Sequence, residues 1–325
     1  DLRENAYKQG DVHYWGVWWG KEPVERYRER TGRFNSEYGM QSLPSLATIK
    51  EFTSANEWDT ASISMKAHQK HGAGYQNIRT YIENKFPRPS NFNDLIYISQ
   101  LMQADAIKTA IEAHRSSMPY NMGTIFWQWN DCWPVVSWSA VDYYGRKKAL
   151  FYQVKRSYAD DFLGLTVKGD SLIIQLQSNY TGKLTVMIKT FDLSGRIVNN
   201  AGSVGAKAEG IVRYAFAIKK DRSAYAWAMV NMDGQEIENS YFIKLPKEMS
   251  LGRPNIECKL KDGSLELISD KLAFGVEIQL PEGIETDDNY LDLIPGQKKI
   301  VKYKSNNDMR LLEKDIRIRS LAETY

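Results

Sequence analysis

The sequence has few cysteines, no long apolar run and no large excess of charge of one sign. Only two cysteines occur in 325 residues, Cys132 and Cys258, which excludes a disulfide framework, and their wide separation excludes a local CxxC zinc or redox motif. No apolar run approaches the roughly 20 residues that a membrane-spanning helix requires. Lys and Arg total 43 against 40 Asp and Glu, for a net charge of +3, so neither a nucleic acid nor an anionic membrane is an expected partner.

Aromatic residues, by contrast, are plentiful. Phe, Trp and Tyr make up 12% of the chain, with 9 Trp and 19 Tyr. This composition favours a protein that stacks flat polar ligands such as sugars on its rings, although aromatics also fill cores. The length indicates two or three domains of globular composition. The chain begins at Asp1 without Met or a signal-peptide pattern, which we interpret as a fragment or a processed chain.

The first domain is predicted over residues 1–157, which hold most of the tryptophans. Glycine-bounded runs of aromatic and β-branched residues predict strands at 32–39 and 123–130. A proline near a first turn predicts a short helix over 42–52, and apolar residues spaced by three and four predict a longer helix over 93–115. Strand, helix and strand in this order are typical of an α/β fold with a parallel sheet.

Two all-β domains are predicted to follow, over residues 158–247 and 248–325. Short strands with turns about every ten residues indicate a β-sandwich in the first of them, and the runs 172–177 and 184–188 are interpreted as two strands joined by a turn. In the second, Asp262-Gly263 predicts a hairpin with a primed turn. The strands that continue to the C-terminus indicate another sandwich.

Glu37 is the first candidate for chemistry. Strand alternation places it on one face with Arg33 and Asn35, at the end of the strand and close to a glycine. Catalytic groups of parallel α/β barrels lie at the C-terminal ends of strands. A carboxylate held there among aromatics could act as a nucleophile or a general base. The alternative is an ion pair with a nearby arginine such as Arg33.

Trp127 and the segment 11–20 are the other candidates. Trp127 lies on the opposite face of its strand from Phe126 and Gln128, and a tryptophan at a strand end can form the floor of a sugar site, with core packing as the alternative. The segment 11–20 holds His13 and four aromatic residues. It fits either the rim of a polar-ligand site or a buried strand with a hydrogen-bonded histidine.

Three motifs in the same order resemble β-mannosidases of glycoside hydrolase family two: "GDVHYWGVWWG", "RFNSEYGMQSLPS" and "GTIFWQWNDCWPVVSWSAVDYYGRKKALFY". The run "DNYLDLIPGQKK" resembles the terminal sandwich of that family, so that the resemblance covers nearly the whole chain. It implies a multidomain fold that is α/β plus all-β. The expected parts are the C-terminal part of a (β/α)8 TIM barrel and two immunoglobulin-like β-sandwiches.

The resemblance also implies roles for single residues in a retaining exo-β-mannosidase, which hydrolyses non-reducing terminal β-D-mannose. Glu37 would be the catalytic nucleophile, at the end of the seventh barrel strand. Trp127 would end the eighth strand and line the mannose pocket, and His13 and Trp15 would lie near that pocket at the end of the sixth. Substrate binding is also assigned, with less definite roles, to Asn130 and Asp131.

A retaining glycosidase needs a second carboxyl group about 5 Å from the nucleophile. In this family the acid/base glutamate follows an asparagine well upstream of the nucleophile. We therefore expect it to lie outside this chain, and the isolated chain to be inactive. Asn56-Glu57 has the same two residue types, but it follows Glu37 in the sequence and is not expected to take that role.

No cofactor and no metal are expected, since His68 and His71 have no third ligand at suitable spacing. The expected partners are a β-mannoside oligosaccharide or glycan and the N-terminal part of the same polypeptide, with no nucleic acid and no membrane. The resemblance favours a periplasmic, secreted or lysosomal location. Two alternatives stay open: a non-catalytic structural or carbohydrate-binding fragment, and a β-galactosidase or β-glucuronidase relative.

Overall fold

A computed structural model describes residues 6–207, 210–305 and 310–325 of the chain. Near the start, two short strands, β1 (Asp11–His13) and β2 (Phe34–Glu37), pair in parallel. Parallel strands need a long connection between them, and here the chain crosses over through a short 3-10 helix. The parallel orientation agrees with the α/β pattern that the sequence predicts.

The segment predicted as a strand over 123–130 is not a regular strand. Thr124 forms a single parallel bridge with Asn35 of β2, and the backbone N–H of Trp127 donates to the carbonyl of Tyr38. The segment thus follows β2 along one edge as far as Trp127 and then turns away. A ladder needs successive pairs of hydrogen bonds, so one bridge does not make a strand.

Five α-helices lie among the described residues of the first half: α1 (Leu46–Lys50), α2 (Ile63–Ala67), α3 (Gly74–Lys85), α4 (Phe92–Ser116) and α5 (Ala149–Ser157). The helix predicted from Ser42 begins later, because Ser45 caps α1 by accepting a hydrogen bond from the N–H of Thr48. The hydroxyl of Ser42 donates instead to Gln103 of α4, at 2.6 Å.

Helix α4 confirms the helix predicted over 93–115. It begins where the side chain of Asn91 accepts a hydrogen bond from the N–H of Asp94, at 3.0 Å, a side-chain cap worth about 1 kcal/mol. Its middle is buried on several sides, and Ile98, Met102 and Ile107 are among the core residues of the first part. This helix is therefore the central packing element beneath the parallel strands.

Two antiparallel sheets follow α5 and enclose one core. Their strands are β3 (Phe162–Lys168), β4 (Ser171–Ser178), β5 (Lys183–Phe191), β6 (Ile197–Lys207), β7 (Gly210–Ala217), β8 (Tyr225–Met232) and β9 (Gln235–Phe242). One sheet has the order β3-β4-β7 and the other β6-β5-β8-β9. Leu172, Ile174 and Leu176 alternate inward from β4. The two strands predicted over 172–177 and 184–188 are confirmed as β4 and β5, which follow each other in the chain and lie in opposite sheets.

The C-terminal part is again built of two sheets. Its strands are β10 (Ile256–Lys261), β11 (Ser264–Ser269), β12 (Ala273–Gln279), β13 (Ile284–Thr286), β14 (Leu291–Leu293), β15 (Lys299–Ser305) and β16 (Arg317–Arg319). They form the orders β10-β11-β15-β13 and β14-β12-β16. Leu265, Leu267, Val276 and Val301 pack in the core between them.

The hairpin predicted at Asp262-Gly263 is confirmed, since Lys261 pairs with Ser264. Its turn is not primed, however, because φ is positive only at Gly263, at 70°. The two-residue turn at Asp233-Gly234 between β8 and β9 has positive φ at both positions, 53° and 93°. A type I′ turn requires this at both central residues.

The three parts of the chain meet through polar contacts as well as packing. The hydroxyl of Tyr97 in α4 donates to the carbonyl of Gly275 in β12, at 2.7 Å. The N–H of Gly275 donates to Asp292 at 3.0 Å, and Asp292 also accepts from the hydroxyl of Tyr225 in β8. Within the described ranges, no helix has both the length and the apolar character to cross a membrane.

Candidate active site

The carboxylate of Glu37 stands at the end of β2 with two nitrogen atoms close to one of its oxygens. The indole Nε1 of Trp15 donates to Oε2 at 3.2 Å, and the Nδ1 of His13 lies 3.3 Å from the same oxygen. The Glu37 side chain is 28% exposed, so the carboxylate is held but reachable. Arg33 does not pair with it, because its guanidinium lies over the ring of Tyr120, 5.6 Å from the centroid.

Strand pairing explains how His13 reaches Glu37. The two residues are register partners in the parallel pair, and the N–H of Tyr14 donates to the carbonyl of Glu37 at 2.9 Å. The register shifts by one residue between Val12 and His13, a bulge in which Ser36 is the extra residue of β2. Bulges of this kind often re-aim a side chain next to a functional site.

Trp127 lies beside this strand end with 42% of its surface exposed, which excludes the core-packing alternative. Its carbonyl oxygen approaches Gly39 so closely that a Cβ on Gly39 would lie 2.4 Å from it. The same Cβ would lie 3.0 Å from the ring atoms of both Trp138 and Trp15. Only glycine fits between these groups, so Gly39 allows Trp127 to sit next to the β2 end.

Further aromatic rings pack next to Trp15. Its ring centroid lies 6.1 Å from Trp138 and 6.4 Å from Trp19. His71 packs edge-on against Trp19 at 4.1 Å, and burial lowers the pKa of His71. Trp19 is 50% exposed. Sequence reasoning included Trp19 only as part of the segment 11–20. It weighed His71 only as a metal ligand with His68 and did not place it beside these rings.

Asn130 and Asp131 are placed differently from each other. Asn130 is exposed, whereas Asp131 is buried and accepts hydrogen bonds from the hydroxyls of Ser137 at 2.7 Å and Ser139 at 2.6 Å. Burial lowers the pKa of Lys148 to about 8, and the charge of Asp131 partly opposes this shift. These contacts favour a structural role for Asp131 over the sugar contact predicted for it.

The remaining candidates lie in separate settings. The carboxylate of Glu57 accepts from the hydroxyl of Ser64 at 2.6 Å, in a short 3-10 helix rather than at a strand end. The ring of His68 stacks on Phe52 and its Nδ1 lies 2.6 Å from a backbone carbonyl oxygen. Within 6–207, 210–305 and 310–325, no three His, Cys, Asp or Glu side chains come together as a metal site. Cys132 and Cys258 are free thiols.

Two cavities of the described part of the chain are not lined by Glu37. One of about 340 Å³ lies where α4 and α5 meet the two sandwiches, and one of about 330 Å³ lies near the start of α4. Glu37 instead lies at a strand end, with its side chain 28% exposed. One carboxylate oxygen accepts from Trp15 and lies 3.3 Å from a ring nitrogen of His13, while the other is not engaged by any described residue. This arrangement suits attack on an electrophilic carbon of a ring-shaped polar ligand.

The fold recurs in glycoside hydrolases of known structure. The exo-chitosanase of Amycolatopsis orientalis superposes with a TM-score of 0.73 at 19% identity, over 97% of this chain and 45% of that one. The β-D-mannosidase of Dictyoglomus thermophilum superposes with a TM-score of 0.83 at 30% identity, over 96% of this chain and 40% of that one. The similarity therefore identifies the chain as part of a relative of glycoside hydrolases.

The particular similarity is with β-mannosidases. "Beta-mannosidase B" of Thermothelomyces thermophilus is 28% identical over 89% of this chain and 39% of its own length. Residues 251–324 match the family model Ig_mannosidase, described as an Ig-fold domain. These findings confirm the resemblance to β-mannosidases of glycoside hydrolase family two. The chain spans about 40% of the length of each of these two β-mannosidases.

Proposed function

We propose that the protein containing this chain is a retaining exo-β-mannosidase, which removes non-reducing terminal β-D-mannose. The observation that carries the proposal is the position of Glu37 at a parallel strand end, held by His13 and Trp15. The similarity to enzymes named β-mannosidases along nearly the whole chain supports the choice of sugar. A neutral chain with an exposed aromatic surface beside a carboxylate also fits a sugar substrate better than an anionic one.

In this proposal β1, β2 and the segment through Thr124 are the sixth, seventh and eighth strands of a TIM barrel. Their parallel arrangement supports the assignment, because β1 pairs in parallel with β2 and Thr124 bridges in parallel to Asn35. In such barrels the active site lies at the C-terminal ends of the strands. Glu37 occupies that end of β2, and His13 occupies that end of β1. The chain then continues into two immunoglobulin-like sandwiches, over 158–247 and 248–325.

Glu37 is the proposed nucleophile, and Trp127, Trp15, His13 and Asn130 are the proposed sugar contacts. The exposed face of Trp127 is suited to stack on the apolar face of a mannose ring. A retaining mechanism needs a carboxylic acid about 5 Å from Glu37 to protonate the leaving oxygen. We assign that group to a glutamate outside these 325 residues, so the chain by itself is expected to be inactive.

The test is to replace Glu37 by Ala or Gln in the full-length protein and to measure hydrolysis of a chromogenic β-mannoside. Turnover is expected to fall by several powers of ten, because the proposal assigns the covalent intermediate to Glu37. Glu57→Ala is the matched control, since the Glu57 carboxylate accepts from the hydroxyl of Ser64 in a short 3-10 helix and not at a strand end, and this variant should retain activity. Near-normal turnover of Glu37→Ala would overturn the proposal.

The same assay decides between the related activities. Faster hydrolysis of a β-galactoside or β-glucuronide than of the β-mannoside would assign the protein to that substrate instead. Hydrolysis of the β-mannoside by the 325-residue chain alone would show that the acid/base group lies within it. No hydrolysis of any of the three glycosides by the full-length protein would leave a structural or carbohydrate-binding role.

A further inference from the structure

Asp11 lies on the far side of His13 from Glu37. Its Oδ2 lies 3.4 Å from Nε2 of His13, and Nδ1 of the same ring lies 3.3 Å from Oε2 of Glu37. The imidazole therefore stands between two carboxylates, with one ring nitrogen facing each. A ring nitrogen that carries a proton donates to a facing carboxylate oxygen, so the ring can link Asp11 to Glu37.

The local backbone explains this alignment. Asp11 and His13 are two residues apart in β1 and so point to the same face. On β2, the extra residue of the bulge is Ser36, whose hydroxyl donates to Oδ2 of Asp11 at 2.5 Å. That hydrogen bond, more than any other contact, holds the pKa of Asp11 below its ordinary value. The carboxylate is thus charged where it faces the ring.

An anchor is needed because His13 is not held by packing. Its side chain is 52% exposed, and a half-exposed imidazole samples several rotamers unless its far nitrogen has a partner. Asp11 is that partner among the residues the structure describes. Trp15, by comparison, is partly buried and packs against Trp138.

We propose that Asp11 is a positioning residue, which acts through His13 to hold Oε2 of Glu37 and so leaves Oε1 as the attacking oxygen. This inference rests on the proposed function, because it assigns the two oxygens of the proposed nucleophile. Oε2 has two nitrogen partners, whereas Oε1 has none among the described residues. Two contacts to one oxygen restrict the rotation of the carboxylate, so its free oxygen keeps a preferred direction of approach.

The covalent step follows from this assignment. A lone pair of Oε1 forms a bond to the anomeric carbon while the glycosidic bond breaks, and its electron pair leaves with the departing oxygen. That oxygen takes its proton from the second carboxylic acid, and Oε2 becomes the carbonyl oxygen of the ester. In the second step water attacks the same carbon, gives a proton to the second carboxylate, and Glu37 leaves as a carboxylate.

The test measures the attack step alone in the full-length protein, with a 2-deoxy-2-fluoro-β-mannosyl fluoride that labels the nucleophile. Asp11→Ala is expected to slow the labelling rate at saturating reagent about tenfold, the size of effect that loss of one positioning contact has. The reagent concentration for half-maximal rate should stay within about twofold, since Asp11 does not touch the sugar. Asp11→Asn should recover most of the rate, because its amide oxygen still accepts from His13.

Two controls keep this result interpretable. Asp262→Ala removes an exposed carboxylate in the turn between β10 and β11, and it should label at the wild-type rate. Ser36→Ala removes the hydrogen bond to the Asp11 carboxylate but leaves Asp11 and His13 in place. The labelling rate should therefore fall less than in Asp11→Ala. Rates are expressed per labelled site, so that a merely destabilised variant with fewer active molecules shows no change.

The outcomes separate the two proposals. Labelling on a residue other than Glu37, located by peptide mass, would overturn the nucleophile assignment whatever Asp11 does. Labelling on Glu37 at the wild-type rate in both Asp11→Ala and Ser36→Ala would overturn the role of Asp11 and leave the proposed function intact. A slower rate in Asp11→Ala that Asp11→Asn restores supports both.

Discussion

The indole nitrogen of Trp15 donates a hydrogen bond to Oε2 of Glu37 at 3.2 Å, across 22 positions of sequence. Trp15→Phe would keep the ring and its packing on Trp138 but remove the donor. A hydrogen bond to a charged group contributes about 1.5–3 kcal/mol, so turnover of a β-mannoside by the full-length protein is expected to fall about tenfold to a hundredfold. Steady-state kinetics on a chromogenic substrate measure the loss.

The control for this substitution is Trp58→Phe. The indole nitrogen of Trp58 is buried without a hydrogen-bond partner, and its ring stacks on Phe92. The same chemical change at this position removes no contact with Glu37, so activity should be unchanged. Equal kinetic effects of the two substitutions would contradict the role given to the Trp15 donor.

Gly39→Ala tests whether the close approach of Trp127 needs a glycine. The added Cβ would lie 2.4 Å from a backbone oxygen of Trp127 and 3.0 Å from two tryptophan rings, and backbone cannot move aside as a flexible side chain can. Overpacking of this kind costs about 1–3 kcal/mol. Urea unfolding followed by tryptophan fluorescence should show this loss, while Gly72→Ala, with open space around its Cβ, should change stability by less than about 0.5 kcal/mol.

The buried His114 should make the free energy of unfolding of this protein fall in acid. Burial lowers its pKa from 6.5 to about 3, so between these values the unfolded chain binds a proton that the folded chain does not. Stability is therefore complete above pH 6.5 and falls as the pH drops toward 3, by about 1.4 kcal/mol per pH unit from this group. His114→Gln, which cannot titrate, should lose less stability than the wild type between pH 6.5 and 5.

The comparison for His114 is made by urea unfolding at several pH values. Burial also raises the pKa of Asp142, but this group and the other titrating groups are common to both proteins and cancel in the difference. Between pH 7 and 8 the two proteins should respond alike. Parallel curves from pH 8 to pH 5 would show that His114 does not carry this effect.

The hydrogen bond of Tyr97 joins α4 to the C-terminal sheets, and its removal tests how much this contact stabilises the protein. Tyr97→Phe removes the donor to the carbonyl of Gly275, and loss of a partner for a buried polar group costs about 1–3 kcal/mol. The cost should appear as a lower urea midpoint. Tyr143→Phe is the control, because Tyr143 is exposed and water replaces whatever its hydroxyl binds. Equal midpoints for the two variants would argue against a structural role of this contact.

The elements that local signals specify were predictable. The long helix α4 follows from its apolar spacing, and the hairpin at Asp262-Gly263 follows from its turn residues. The first residue of α1 was harder to predict, because Ser42 and Ser45 are equally good N-cap residues in the sequence. Only the bond from Ser42 to Gln103 of α4, in the folded state, selects between them.

Strand partners could not be predicted from the same signals. The strands β4 and β5 have the alternating pattern expected of neighbours but lie in opposite sheets. The run 123–130 has the composition of a strand but makes one bridge with β2. A strand is defined by its neighbours, and those neighbours are distant in the chain.

The sequence by itself determined that a carboxylate would stand at a strand end among tryptophans, and its motifs resembled β-mannosidases. Tertiary structure decided which groups meet that carboxylate. Glu37 is bound by Trp15 and not by Arg33, Asp11 reaches it through His13, and Asp131 turns inward to two serines. The physical reason is that a side chain's partners depend on parallel register and on one bulged residue, Ser36. Neither of these is encoded within a short window of sequence.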